Sequence, residues 1–272
     1  MQIDTIVTDL DDTLLDANAR ISPYTMHIVA ETKRRGIRVI PASGRAASSM
    51  RSYVDQLHTG QPYIACNGGQ LMNPDHTEIA SSMFEPEQAK ELIRYFTARG
   101  LYTQVYRGEL FYFAEASEIA RRYSWRTGMQ GKAVGDLVAF LDFPTPKVLS
   151  VSTPQAVEAL LPVIRADFPE VTFTVSKPHF LEAEPKGVNK GSAIRQLSKI
   201  LGFSPERTMV FGDSLNDISM FDFAGHSVAM ANARSEVIQA ARYVTEKPNS
   251  QDGLAHFIYD HVLTQTSGSV NV

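Results

Sequence analysis

The first apolar run of the chain is short. Ile3, Ile6 and Val7 stand among polar residues and read as one buried strand. Comparable runs recur at residues 37–40, 63–65, 208–211 and 227–229, with a last strand at 243–244. Between them the apolar positions shift to helical spacing. Ser22-Pro23 opens a helix, with serine as cap and proline in the first turn, and Gly36 closes it after the basic run Lys33-Arg34-Arg35. Residues 46–57 predict a second helix. Lys190 starts another, carrying Ile194, Leu197, Ile200 and Leu201 at helical spacing ahead of Gly202. One more helix should run to about residue 224. Strands alternating with helices predict an α/β fold with a Rossmann-like parallel-sheet core.

The pattern changes between residues 83 and 185. A helix at 87–99 precedes strands at 101–105 and 110–113, which flank Arg107-Gly108 as a hairpin. A helix at 117–126, a strand at 148–151 and a helix at 154–168 come next. Alternating residues 171–175 and the run 180–182 then predict two more strands. Neighbouring strands mixed with helices indicate an α+β module with its own sheet. The expected organisation is a discontinuous core, residues 1–82 and 186–272, with this module inserted at 83–185. The tail, residues 264–272, is rich in Ser, Thr and Gly and is expected to fray.

Composition narrows the picture. The 272 residues exceed what one compact core usually needs, and 43% hydrophobic with 21% charged residues is ordinary for a globular protein. A net charge of −4 gives no electrostatic footprint for nucleic acid. No apolar stretch approaches the roughly 20 residues of a membrane helix, and the N-terminus lacks a signal peptide's basic start and apolar centre. Cys66 is the one cysteine, so no internal disulfide can form, and its apolar neighbours predict a buried thiol. A cytoplasmic protein that binds neither nucleic acid nor membrane, as monomer or homodimer, is the expectation.

The chemistry begins where the first strand ends, at Asp9, Asp11 and Asp12. Alternation along an extended segment puts Asp9 and Asp11 on one side and Asp12 on the other. Two carboxylates aimed into one small volume need a cation between them or a proton on one. Three further polar clusters follow strand ends or open helices: Ser43-Gly44-Arg45, Lys190, and Asp213 with Asn216 and Asp217. In a parallel sheet these ends converge on one edge. A donor set of oxygens without His or Cys suits Mg²⁺. The lysine, serine hydroxyl and loop amides suit a phosphate dianion, and a carboxylate can act as nucleophile through an aspartyl-phosphate. A calcium loop starting at Asp9 is excluded, because Leu14 and Arg20 occupy the positions that need Gly and Glu. Phe211-Gly212-Asp213-Ser214-Leu215 matches the opening block of GDSL-type esterases. However, the only DxxH, Asp55 to His58, lies upstream, which leaves Ser214 without a histidine base.

These clusters together resemble the haloacid dehalogenase superfamily of phosphohydrolases, in particular its Cof-type branch (subfamily IIB) with a large α/β cap. Asp9-Leu10-Asp11-Asp12-Thr13, Ser43-Gly44-Arg45, Lys190-Gly191 and Gly212-Asp213-Ser214-Leu215-Asn216-Asp217 carry the likeness. It extends to Asn67-Gly68-Gly69 and Val228-Ala229-Met230-Ala231-Asn232-Ala233. Asp12 stands where glycine is common, and Ser43 where threonine is common. The resemblance implies Asp9 as nucleophile and Asp11 as acid, then base, protonated at rest through crowding by like charge. It implies Mg²⁺ held by Asp9, the Asp11 carbonyl and Asp213, with Asp217 steadying a ligand or bound water. The phosphoryl group would be held by the Leu10 amide, Ser43, Gly44, Lys190 and Asn216. Arg45, Glu182 and His179 are candidate substrate contacts, and Arg107 and Tyr112 are further polar or aromatic positions of the insert. The implied activity is hydrolysis of small phosphorylated metabolites, sugar phosphates foremost. A phosphomutase or phosphotransferase of the same fold and a non-catalytic sugar-phosphate sensor are the alternatives.

Overall fold

The structure, a computed structural model, describes residues 2–264. Its α/β core is a parallel sheet of five strands in the order Tyr243–Val244, His226–Ala229, Thr208–Gly212, Thr5–Thr8, Arg38–Pro41. The Thr5–Thr8 strand is buried along its whole length, because helices cover both faces of the sheet. Ile6 joins the cluster with Ile28, Met50 and Phe257, and Val7 joins the opposite one with Ile194, Leu197 and Met220. The register sets Thr8 opposite both Phe211 and Pro41. Three loops therefore leave the sheet at one level.

The helix starts follow the sequence. The Ser22 hydroxyl accepts the Thr25 amide at 2.9 Å ahead of Pro23–Arg34, and Asn189 caps Lys190–Leu201. Gly202 ends the latter in the left-handed conformation at φ 68°. Three differences have physical reasons. Tyr63–Ala65 does not extend the parallel sheet but opens a three-stranded antiparallel one with Gln70–Met72 and Glu78–Ser81, packed into the core and linked to the edge of its sheet by an Ala42–Ile64 bridge. The helix expected up to residue 224 shrinks to a 3₁₀ turn, Leu215–Asp217, and one α turn, Ile218–Phe221. Gly253–Ile258, continued to Leu263, is an additional helix that packs Leu254, Phe257, Ile258 and Val262 against the core. The expectation for the tail falls, apart from Thr264, outside the described residues. Among the described residues no helix is long and apolar enough to cross a membrane.

A second sheet of six strands runs in the order Val171–Thr174, Phe180–Pro185, Val148–Val151, Tyr102–Arg107, Leu110–Phe113, Gln130–Ala133. Gln130–Ala133 carries no apolar signal, being an exposed polar edge strand. The period of two gives this sheet two unlike faces. Val105, Val148, Phe173, Leu181 and Ala183 pack under helices Pro86–Thr97 and Pro154–Asp167. Tyr106, Phe111, Leu149 and Val151 face the other way, toward Ala46 and Cys66 of the core. Phe180, Glu182 and Glu184 alternate with Leu181 and Ala183, so they share this core-facing side. Cys66 is fully buried, and burial pushes its thiol up to about 12, the behaviour of an inert packing residue.

The Lys190–Leu201 helix presses against the core at Gly191, where an added Cβ would lie 2.0 Å from the Ser219 carbonyl oxygen. Gly191→Ala therefore forces two backbones apart and should cost about 1–3 kcal/mol, read as a lower urea midpoint. An unchanged midpoint would contradict this packing.

Candidate active site

The loop after Thr8 is shaped by its backbone. Asp9 and Asp11 are extended (ψ 161° and 129°), while Asp12 turns left-handed at φ 60°. That conformation is easiest for glycine and tolerable for aspartate. The turn separates Asp12 from its neighbours as expected, and its carboxylate accepts from the Lys177 ammonium of the inserted module at 3.0 Å.

The centre of the site is a buried ammonium. Lys190, wholly buried, donates to Asp9 Oδ1 at 2.5 Å and to Asp217 Oδ1 at 2.6 Å. Asp217 Oδ2 accepts the Asp213 and Ser214 amides, each at 3.0 Å, so this carboxylate fixes the loop that presents Asp213. The Thr13 hydroxyl donates to Asp213 Oδ1 at 2.9 Å. Asp9, Asp213 and Asp217 each offer an oxygen within 4.8 Å of the others. One ammonium does not balance three carboxylates. Burial lifts Asp9 to about 7 despite Lys190, with Asp217 and Asp11 adding to the rise. Burial, and then the Asp9 and Asp217 charges, lift Asp213 as well. Crowded, desolvated oxygens that hold negative charge at such cost are a fitting donor set for a hard divalent cation.

Beside this cluster lies a small polar cavity of about 50 Å³, lined by Asp9, Asp11, Ser43, Gly44, Asp213 and Asn216 among others. Ser43 is buried and its hydroxyl accepts the Arg45 amide at 3.2 Å. Gly44 admits no larger residue unless Asn67 moves, because an added Cβ would lie 2.9 Å from Asn67 Oδ1. Leu10 packs its side chain into the hydrophobic core. Asn216 donates from Nδ2 to Asn67 Oδ1 at 2.8 Å, and its own Oδ1 is buried without a partner. The Asn67 amide is oriented by the carboxylates it donates to, and this in turn fixes the orientation of Asn216.

One expectation about charge needs correction. Asp11 is not protonated by crowding. Burial raises its pKa, but Arg45 outweighs that by donating from Nε at 2.7 Å and Nη2 at 2.9 Å, which holds the carboxyl below its ordinary value. Arg45 itself, a candidate substrate contact, has its guanidinium engaged by this clasp and lies over the Tyr53 ring.

Glu182 reaches the small cavity, but its carboxylate is paired with buried Lys147 and accepts from Asn67 at 3.2 Å. Lys147 also donates to the Gly44 carbonyl at 2.6 Å. Glu184 accepts from Asn67 at 2.6 Å and from Thr174 at 3.2 Å. The inserted module thus grips the Ser43–Arg45 loop through a buried polar network. Sequence reading missed Thr13, Lys147, Lys177 and Glu184. A lysine directly before the apolar strand at 148–151 was the one available signal, since a strand entering a core seldom starts with an unpaired charge. His179 lines a larger adjoining cavity, where burial, then Arg126 and Lys177, depress its pKa. Arg107 and Tyr112 lie elsewhere, against Phe143 on the helix-covered side of the sheet. Ser214 donates to the Ser176 carbonyl at 3.0 Å, an arrangement unlike that of a serine nucleophile.

Comparison with known proteins identifies the family. The family model for haloacid dehalogenase-like hydrolases matches residues 6–258, and the chain belongs to that family. It is 29% identical to the 5-amino-6-(5-phospho-D-ribitylamino)uracil phosphatase YwtE of Bacillus subtilis, over 93% of this chain and 96% of that protein. The crystal structure of TM0651 from Thermotoga maritima is 30% identical with a TM-score of 0.79, covering 95% of this chain and 97% of that one. A haloacid dehalogenase-like hydrolase from Bacteroides thetaiotaomicron is 26% identical with a TM-score of 0.83, covering 95% and 99%.

The buried network carries a pH signature. Burial, followed by repulsion from Glu182, raises Glu184 from 4.5 to about 8. Folding then takes up a proton between these values. The stability tied to this group is full below the unfolded pKa and is lost as pH rises through the folded one. Urea midpoints of the wild type should therefore fall relative to those of Glu184→Gln between about pH 4.5 and about pH 8. Parallel pH profiles for the two proteins would contradict this.

Proposed function

We propose that this haloacid dehalogenase-like hydrolase is a Mg²⁺-dependent phosphomonoesterase that hydrolyses small phosphorylated metabolites, sugar phosphates foremost, through an aspartyl-phosphate on Asp9. The observation that carries the reading is the convergence of Asp9, Asp213 and Asp217 within 4.8 Å of one another, with one buried ammonium paired to Asp9 and Asp217, beside the Ser43–Gly44 loop. The phosphatase function named for the Bacillus subtilis relative supports it, and the phosphoribityl chain in that name supports a small polyol or sugar ester.

In this reading Asp9, Asp213 and the Asp11 carbonyl would hold Mg²⁺, with Asp217 behind them, and the ion would neutralise charge on the phosphoryl oxygens. An Asp9 carboxylate oxygen attacks phosphorus as the bond to the leaving oxygen breaks, and Asp11, a carboxylate at rest, takes up a proton from solvent as substrate binds and passes it to that alkoxide. Asp11 then takes a proton from water, which attacks the aspartyl-phosphate, releases phosphate and restores Asp9. The Arg45 clasp favours the carboxylate form of Asp11, which is the form the second half-reaction needs. Lys190, the Ser43 hydroxyl, the Leu10 and Gly44 amides and the second N–H of Asn216 would cradle the phosphoryl oxygens, on which charge spreads in the transition state. Lys190 also keeps Asp9 next to Asp217, so the nucleophile is positioned before substrate arrives. The residue 83–185 module would act as a cap, excluding bulk water over the site.

Asp9→Asn keeps shape but removes the nucleophile, and should cut phosphate release by about 10⁴-fold or more while leaving the circular dichroism spectrum intact. EDTA should abolish wild-type release and added Mg²⁺ restore it. Release that survives either treatment would overturn the corresponding role.

A further inference from the structure

The larger cavity, of about 440 Å³, shares Asp11, Arg45 and Lys177 with the small polar one. It is where the leaving group of the proposed reaction would lie, so the inference rests on that reading. One face of the Glu118–Thr127 helix borders it, through Ile119, Arg122, Tyr123 and Arg126 at helical spacing. Phe180 adds an apolar wall from the core-facing side of the sheet.

The charge on this lining is one-sided. Asp11 is the only carboxylate among its described residues, and Arg45 already engages both of its oxygens. Lys177 pairs with Asp12, and Arg122 pairs with Glu118 on the solvent side of its own helix. Arg126 has no carboxylate within ion-pair distance among the described residues. Its charge is felt inside the cavity, since it helps to depress both His179 and Asp11. Arg126 also borders the next cleft outward, together with Arg20. A leaving group bearing only hydroxyls leaves the exposed Arg126 guanidinium to solvent alone. One with a second acidic group meets a guanidinium at its far end and aromatic walls along its length.

We infer that the leaving group of the preferred substrate carries a second acidic group, a carboxylate or a further phosphate, bound by Arg126 with Lys177 and Arg122 nearby. Arg126 is then a specificity-determining residue.

The test compares kcat/KM of the Mg²⁺-loaded full chain on glucose 6-phosphate, 6-phosphogluconate and fructose 1,6-bisphosphate, with p-nitrophenyl phosphate as a general reporter. At least one acid-bearing ester should exceed the neutral one about tenfold or more, as a charged hydrogen bond allows, and which of the two does so separates carboxylate from phosphate. The ratio of acid-bearing to neutral ester should fall about tenfold in Arg126→Ala, be largely retained in Arg126→Lys, and shrink with added salt. Equal or lower kcat/KM for both acid-bearing esters, with the aryl phosphate turned over, would overturn the inference alone. A ratio unchanged in Arg126→Ala would overturn the role of Arg126. An inert aryl phosphate together with three inert esters would overturn the phosphatase reading beneath it.

Discussion

Carboxylates gathered at the carboxyl edge of a buried parallel sheet repel one another, and the ammonium of Lys190 is what permits Asp9 and Asp217 to sit there together. Losing one partner of a buried ion pair costs about 3–5 kcal/mol, a large share of a domain's stability. Much of the local architecture serves this pairing. The helix of Lys190 starts at a capped Asn189 and docks at Gly191 with no room for a methyl group, which delivers the ammonium to a fixed point. Asp217 uses its other oxygen to hold the Asp213 loop. The remaining excess of negative charge, visible in the raised Asp9 and Asp213, is the demand that a divalent cation would meet.

A second polar network ties the inserted module to this centre. Lys147 bridges Glu182 and the Gly44 carbonyl, and Asn67 links Glu182 and Glu184 to Asn216. The loop that would cradle phosphate is thus held from below by the parallel sheet and from above by the module. Arg45 and Asp11 lie on the rim between the two cavities, so a group leaving the phosphorus would pass directly into the basic, aromatic-walled space.

The core was largely legible in the sequence, because short apolar runs separated by capped helices leave few arrangements other than a parallel sheet. Asp9, Ser43, Lys190 and Asp213 were legible for the same reason: strand ends in such a sheet meet at one edge. Tyr63–Ala65 misled, since an apolar triplet does not reveal its pairing partner. The polar Gln130–Ala133 strand gave no signal at all. Which face of the second sheet meets the site depended on register, and a shift of one residue exchanges Glu182 for Leu181. The state of Asp11 was misjudged because its partner, Arg45, is 34 residues away in sequence and adjacent only in space.

The central claim is that Asp9 becomes covalently phosphorylated. Rapid acid quenching of the Mg²⁺-loaded protein during turnover of a ³²P-labelled ester, followed by peptide mapping, tests it most directly. Hydroxylamine-sensitive label on the peptide that contains Asp9, forming and decaying at rates compatible with turnover, is the predicted result. Phosphate release with no protein-bound label, or with label on a peptide lacking Asp9, would contradict the account.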